Sequence, residues 1–363
     1  MKFYVKEAQI VENVQKTAGI KARDDVEEIL SKNDFREILS VTESQNRKKM
    51  GFFRTIKYHK DLEKIWKNSL KNLQKGDELV LQFPIVNHTI FFNRVIKNLR
   101  KRGVKIYLLI HDLETMRWFK ISNIPLKSKI RLNIEESSIL KSVDGIISHN
   151  PLMTERLVKL GFDNNKIVNL EIFDYLIPNY DINHSDIRFE CSSPIVIAGN
   201  LKKYKAGYVY NLPKKPHFNL YGIGYEANET DNVLYLGSFF PDELPFVLKG
   251  SFGLVWDGPS SQTCEGVHGD YLRINNPHKT SLYLAAGLPV IIWSGAALSS
   301  FILENNCGIV VDSLYELQRK ISELEEDFYQ ELKSNAELIG KRLRSGYYTL
   351  NAIQNLEMMR GKN

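Results

Sequence analysis

The sequence predicts an α/β protein made of two parallel-sheet domains, and three observations lead there. Short apolar runs such as LVLQF (79–83) and KIYLLI (105–110) alternate with amphipathic helical stretches. Strands that are apolar throughout belong to sheets covered on both faces, which are mostly parallel. A polar stretch without periodicity, YLIPNYDINHSDIRFE (175–190), then interrupts the alternation, and the same pattern restarts behind it. At 363 residues the chain is long enough for two separate cores.

Residues 15–30 read as a loop containing Gly19 that leads into a helix, whose early acids suit the positive end of its dipole. The strand at 79–83 is followed by a turn at Pro84 and by a helix with Phe92, Val95, Ile96 and Leu99 along one face. Gly103 ends that helix, 105–110 is the next strand, and His111-Asp112 stands at its carboxyl end. A helix over 133–140, a strand over 144–148 and a helix over 151–160, closed by Gly161, complete the first half. Beyond the linker come a strand at 194–198 and a turn at Gly199-Asn200. Strands follow at 218–221 and 252–256, then a helix over 279–286, a strand over 288–293 and an apolar run at 308–311. Helices fill 314–359. The predicted divisions are an N-terminal domain at 1–178, a C-terminal domain at 179–345 and a helical tail at 346–363; no internal repeat appears beyond the two halves.

Composition narrows the function classes. With 43% hydrophobic and 25% charged residues the chain reads as an ordinary globular protein. Cys191, Cys264 and Cys307 stand far apart without CxxC or Cys/His spacing, which argues for a reducing compartment and against structural zinc. Lys6, Glu7 and Glu12 occupy the place where a signal peptide needs an apolar core. The most apolar stretch, 281–298, is broken by Gly287, Pro289, Ser294 and Gly295 and makes a poor membrane span. A cytoplasmic location is expected.

The net charge of +6 is unevenly spread, at +10 over residues 1–180 and −4 over the remainder. One basic cluster, Arg47-Lys48-Lys49 with Arg54 and Lys57, is interrupted by Phe52 and Phe53. Basic residues with aromatics suit nucleic acid or an anionic membrane surface, and equally a solvated helix face. The second cluster, Arg94 to Lys105, falls on the outside of the helix with the Phe92 stripe. No nucleic-acid motif accompanies either cluster.

The richest chemistry lies in GVHGDYLRINNPHKTSLYLAAGLPVIIW (266–293). Asn275, Asn276 and Pro277 form a turn signal, a short helix follows, Gly287 stops it, and an apolar strand comes next. Lys279 thus stands at a helix start, where unpaired N–H groups and the dipole favour a phosphate. The plain alternative is a helix–strand unit with a solvated lysine.

This stretch, with LLIHDLETMR, GIISHNPLMTERL, KIVNLEIFDYL, VIAGNLKKYK and FGLVWDGPSSQTCEGVHGDYL, resembles in fixed order a bacterial glycosyltransferase family. Its members include the β-1,6-galactofuranosyltransferases of surface-polysaccharide synthesis and the third glucosyltransferase of streptococcal adhesin glycosylation. SHNPLMTERL, IFDYL, WDGPSSQTC and NNPHKTSLYL are more similar to the galactofuranosyltransferases. The resemblance implies a GT-B fold, two Rossmann-like parallel-sheet domains facing across a cleft, with a helical C-terminal tail.

It also implies residue roles. Lys279 matches a lysine that contacts the donor diphosphate, with Asn276 and Thr280 in the same motif. Gly199 and Asn200 match a Gly-Asn turn near the ligand, and Lys203 takes the place of a diphosphate-binding arginine as a point charge instead of a bidentate fork; Lys202 could serve instead. Tyr221 lies near an aromatic position that holds the uridine. Thr17-Ala18-Gly19 resembles a loop that closes over the donor phosphates, or else caps the following helix. Asp257 binds a sugar hydroxyl or simply turns the chain. An inverting transfer needs a base for the acceptor hydroxyl, and His111 or Asp112 fits, unless the histidine is structural.

No DxD motif is present, so lysines and a helix dipole are expected to neutralise the leaving group without a metal or other cofactor. The expected partners are a UDP-sugar donor, a saccharide or glycoprotein acceptor, the inner membrane surface as a peripheral contact, and further copies of the chain in a homo-oligomer; nucleic acid is not expected. Galactofuranosyl transfer is favoured over glucosyl transfer to a GlcNAc-bearing adhesin glycoprotein. A nucleotide-sugar binding protein without turnover is the non-enzymatic alternative.

Overall fold

The computed structural model describes residues 1–10, 20–43, 50–117, 133–180, 189–227 and 230–360. The chain divides into two compact units. One contains Met1–Gln15, Val26–Asn169 and Leu350–Asn363, and the other Lys16–Asp25 and Leu170–Thr349.

The first unit is built on β1 (Lys2–Ile10), β2 (Phe35–Glu43), β3 (Glu78–Phe83), β4 (Lys105–Ile110), β5 (Gly145–Ser148) and β6 (Ile167–Asn169). They form one sheet in the order β2-β1-β3-β4-β5-β6, every pairing parallel. The central strands β3 and β4 are buried from their second residue onward, as continuous apolar runs require. β4 has the expected bounds. β1 and β2 were not expected, because Lys2, Lys6, Glu7, Arg36 and Glu37 break their apolar character. β2 is an edge strand and leaves Leu39 and Val41 exposed, so its pattern carries little signal.

Helix Phe92–Lys101 buries Phe92, Val95, Ile96 and Leu99 and turns Arg94, Lys97, Arg100 and Lys101 outward, as its stripe predicts. Beside it, helix Phe52–Ser69 buries His59, Leu62, Glu63 and Trp66. The Trp66 and Phe92 rings meet edge to face at 4.8 Å, and the Trp66 indole donates to the Asn87 carbonyl at 2.9 Å. The helix expected over 133–140 begins as a π-helical turn, Asn133–Ser137, and continues as Ser138–Leu140. There the Glu136 carboxylate accepts the backbone N–H groups of Glu114 and Thr115 and the Thr115 hydroxyl. Burial raises the Glu136 pKa against the pull of these bonds.

The second unit carries β7 (Ile195–Asn200), β8 (Phe218–Ile223), β9 (Val233–Tyr235), β10 (Gly253–Val255), β11 (Val290–Trp293) and β12 (Gly308–Val311). Their order is β12-β11-β10-β7-β8-β9, again parallel throughout. The residues expected to turn at Gly199-Asn200 instead finish β7, pairing with Gly222 and Ile223 of β8. A Cβ on Gly222 would lie 1.8 Å from the Gly199 carbonyl oxygen, so glycine is needed where these strands converge. Helices Glu326–Ser345 and Tyr347–Arg360 end the chain, the second passing into the first unit at Leu350.

Candidate functional site

The carboxyl edge of the second sheet gathers most of the residues singled out from the sequence. β10 runs out into Trp256, Asp257 and Gly258; its neighbour β7 ends in Gly199 and Asn200. The helix His278–Ala285 starts at the same edge after an extended Pro277. Its position is fixed by Tyr283, which is fully buried and whose hydroxyl accepts the Ala198 N–H on β7 at 2.7 Å. To reach β7 the ring crosses β10 at Gly253, where a Cβ would lie 2.0 Å from it. Burial, partly offset by that bond, drives the Tyr283 pKa far above the ordinary tyrosine range.

Lys279 is in the first turn of this helix. Its Nζ lies 2.9 Å from the Trp256 carbonyl oxygen and 2.9 Å from Asp257 Oδ1. Both side chains are largely buried, at 16% and 10% exposure, so the pair is held rather than tethered in solvent. An ammonium has three donors. Two are used among the described residues, which leaves one for a ligand oxygen. Thr280, next in the chain, is completely buried, and neither its hydroxyl nor that of Ser281 has a hydrogen-bond partner among the described residues. Asp257 therefore acts as the counter-ion of Lys279, a role the sequence reading did not assign.

The other expected donor-site residues have distinct placements. Asn200 accepts the Lys202 N–H at 3.1 Å and donates to the Tyr204 hydroxyl at 3.1 Å. Lys203 is exposed, with its Nζ 5.1 Å from the centre of the Tyr210 ring. Tyr221 is buried in β8, its hydroxyl donating to the Val247 carbonyl and accepting the Lys249 N–H, so it is not gathered with Lys279. Asn276 donates to the Glu171 carbonyl at 3.0 Å and ties the loop before the helix to that segment. Thr17 lies outside the described residues.

His278 precedes Lys279 and is buried. Its ring stacks on Tyr175 with centroids 4.9 Å apart, and its Nε2 lies 3.4 Å from the Asp174 carbonyl oxygen. Burial drops its pKa to about 4, so the imidazole is neutral and adds no charge at the helix start. The Asp174 carboxylate caps the last helix by accepting the Tyr348 and Thr349 N–H groups, and burial raises its pKa to about 7.

In the first unit, His111 and Asp112 follow β4. The His111 N–H donates to the Phe83 carbonyl at 2.7 Å, continuing the ladder, and its Nε2 lies 2.6 Å from Gln82 Oε1. Asp112 receives the Arg117 guanidinium. The carboxyl edge of this sheet also offers a pair that the sequence does not suggest. His88, in the loop after β3, has its Nε2 3.3 Å from Glu135 Oε2, with both side chains half-buried. The two are remote in sequence, and the pairing depends on the π-helical turn that carries Glu135. Among the described residues no three His, Cys, Asp or Glu side chains converge as a metal site would require.

Comparison with known proteins places these features in context. The model of the glucosyltransferase 3-like N-terminal domain matches residues 3–172, and that of the glucosyltransferase 3-like C-terminal domain matches 195–356. The β-1,6-galactofuranosyltransferase WbbI of Escherichia coli (strain K12) is 36% identical over 293 residues, covering 78% of this chain and 80% of the relative. Glucosyltransferase 3 of Streptococcus gordonii is 27% identical over 278 residues, covering 76% and 77%. Among solved structures, Anabaena HepE in complex with UDP superposes with a TM-score of 0.58 at 10% identity, covering 99% of this chain and 100% of that one.

Proposed function

The chain belongs to the glucosyltransferase 3-like family and is a GT-B glycosyltransferase that uses a UDP-sugar, and from that premise we propose that it transfers galactofuranose from UDP-galactofuranose to a saccharide acceptor with inversion. The observation that carries the donor site is the Lys279 ammonium, pinned on Trp256 and Asp257 at the start of a helix, with one donor left over. A diphosphate there meets that donor and the first-turn N–H groups of the helix, with Lys203 as a further cation. The choice of sugar rests on the higher identity to the galactofuranosyltransferase, 36% against 27% over similar spans.

In the proposed reaction the acceptor oxygen attacks the anomeric carbon on the face opposite UDP. The bond to the diphosphate oxygen breaks, and the acceptor proton passes to a base of the first unit. His111 is that base, with Gln82 orienting its ring; Asp112, paired with Arg117, supports the same edge. Charge developing on UDP is met by Lys279 and the helix start, and no metal takes part. The basic first half of the chain, with Phe52 and Phe53, supports a lipid-linked saccharide at the inner membrane face as the acceptor.

The test is competing turnover on a common acceptor panel, read as UDP release and product mass. Consumption of UDP-galactofuranose with an added hexose mass supports the reading. Consumption of UDP-glucose alone would reassign the sugar to glucose and leave the phosphate site standing.

A further inference from the structure

We propose that the outer face of helix Phe52–Ser69 docks the protein on an anionic phospholipid bilayer. The helix opens with Phe52 and Phe53, exposed at 73% and 85%, whose rings touch edge to face at 5.6 Å. These are the two most exposed aromatic side chains among the described residues. Behind them Lys57, Lys60, Lys64 and Lys67 continue along one face at four- and three-residue spacing, all exposed. The stripe from Phe53 to Lys67 is about 21 Å long at the usual helical rise. Lys67 is paired with Glu63, whereas Lys57, Lys60 and Lys64 form no ion pair among the described residues. The opposite face is fully engaged, with His59, Leu62 and Trp66 buried in the first unit.

The chemistry fits a lipid surface. Exposed adjacent phenylalanines expose apolar area to water, and a run of unpaired lysines is self-repulsive; an anionic bilayer removes both costs at once, by interfacial burial of the rings and by its surface potential. A second copy of the chain fits less well, because a two-fold contact through this face would set lysines against lysines. No helix among the described residues is long and apolar enough to cross a membrane, so the contact is peripheral. The inference deepens the proposed function by naming the surface that would bring the enzyme to a lipid-linked acceptor. Vesicle binding is read without any transfer, so the two readings fail separately.

The experiment is flotation of the full chain with vesicles of phosphatidylglycerol and phosphatidylcholine in equal parts, against phosphatidylcholine alone. Binding is expected to the anionic vesicles only and to weaken with salt. Phe52→Ser with Phe53→Ser, and separately Lys57→Glu, Lys60→Glu and Lys64→Glu together, should each lower partitioning about tenfold or more, with thermal melting unchanged. Lys97→Glu with Lys101→Glu, on the neighbouring basic helix, should change it less than about twofold. Phe53→Trp should shift its emission to the blue on adding anionic vesicles, which tests the ring directly in a folded chain. An unshifted emission, equal loss from the Lys97/Lys101 change, or an altered sedimentation coefficient with intact vesicle binding in the double Phe variant would each overturn the proposal.

Discussion

Lys279 and Asp257, from a helix start and a strand end 22 residues apart, form an ion pair at 2.9 Å that is largely withdrawn from solvent. The carboxylate fixes where the ammonium points, and it also cancels much of its charge. At the proposed donor site, binding would therefore balance a cation that attracts the diphosphate against an anion that opposes it.

Both sides of that balance can be measured by calorimetry with UDP. Lys279→Ala should weaken binding by about 1.5–3 kcal/mol, the range of a charge-assisted hydrogen bond. Lys60→Ala, on the exposed face of helix Phe52–Ser69 in the other unit, should leave it unchanged. Asp257→Asn should bind UDP at least as tightly as the unmodified protein while lowering kcat/KM, since the lysine loses its orienting partner. Equal affinities for the two alanine variants would remove Lys279 from the diphosphate site.

Much of this was legible in sequence, for physical reasons that vary by residue. β4 could be read to the residue because a strand buried on both faces is apolar throughout, and the Phe92 helix because its stripe has the helical period. β1 and β2 were hidden by charges, which the edge strand β2 and its neighbour β1 tolerate. Lys279 was visible as a cation after a turn signal, but its counter-ion was not, since nothing local links strand end to helix start. Tyr221 looks like a ligand-facing aromatic in HFNLY, yet its hydroxyl is bonded to Val247 and Lys249. His88 and Glu135 meet only through the folded loop and π-turn.

Transfer should survive EDTA. If lysines and a helix start neutralise the departing diphosphate, removing divalent ions leaves that neutralisation in place. The check is the rate of UDP release after chelation and dialysis. Complete loss, restored by Mg²⁺ or Mn²⁺, would replace this account with a metal-assisted one.

The proposed base can be tested apart from the proposed donor site by variants on the first unit. His111→Asn should lower kcat about 100-fold or more, the scale of general-base catalysis, with UDP affinity unchanged. His88→Asn provides the comparison, because it disrupts the His88–Glu135 pair at the same sheet edge. A larger loss of kcat for His88→Asn than for His111→Asn, with the melting temperature held, would transfer the role to His88.

His278 makes a prediction about stability and pH. Its pKa is about 4 in the folded chain, against about 6.5 when unfolded. Between those values the unfolded chain holds a proton that the folded chain does not, so this group's contribution is complete above about pH 6.5 and is lost as pH falls toward 4. Asp174, and Asp25 paired with Lys21, are each raised by burial to about 7 and act in the opposite direction over an overlapping range, so the total stability curve is not diagnostic. Comparison with His278→Gln removes that difficulty, because both aspartates are present in both proteins. Loss of the stack on Tyr175 should cost His278→Gln about 1–3 kcal/mol at pH 8. That difference should shrink markedly at pH 5, where the native histidine resists protonation and the glutamine has nothing to protonate. Urea titrations followed by tryptophan fluorescence at the two pH values measure it. A difference that is the same at both, or larger at pH 5, would mean that His278 is not held neutral at the start of the helix that carries Lys279.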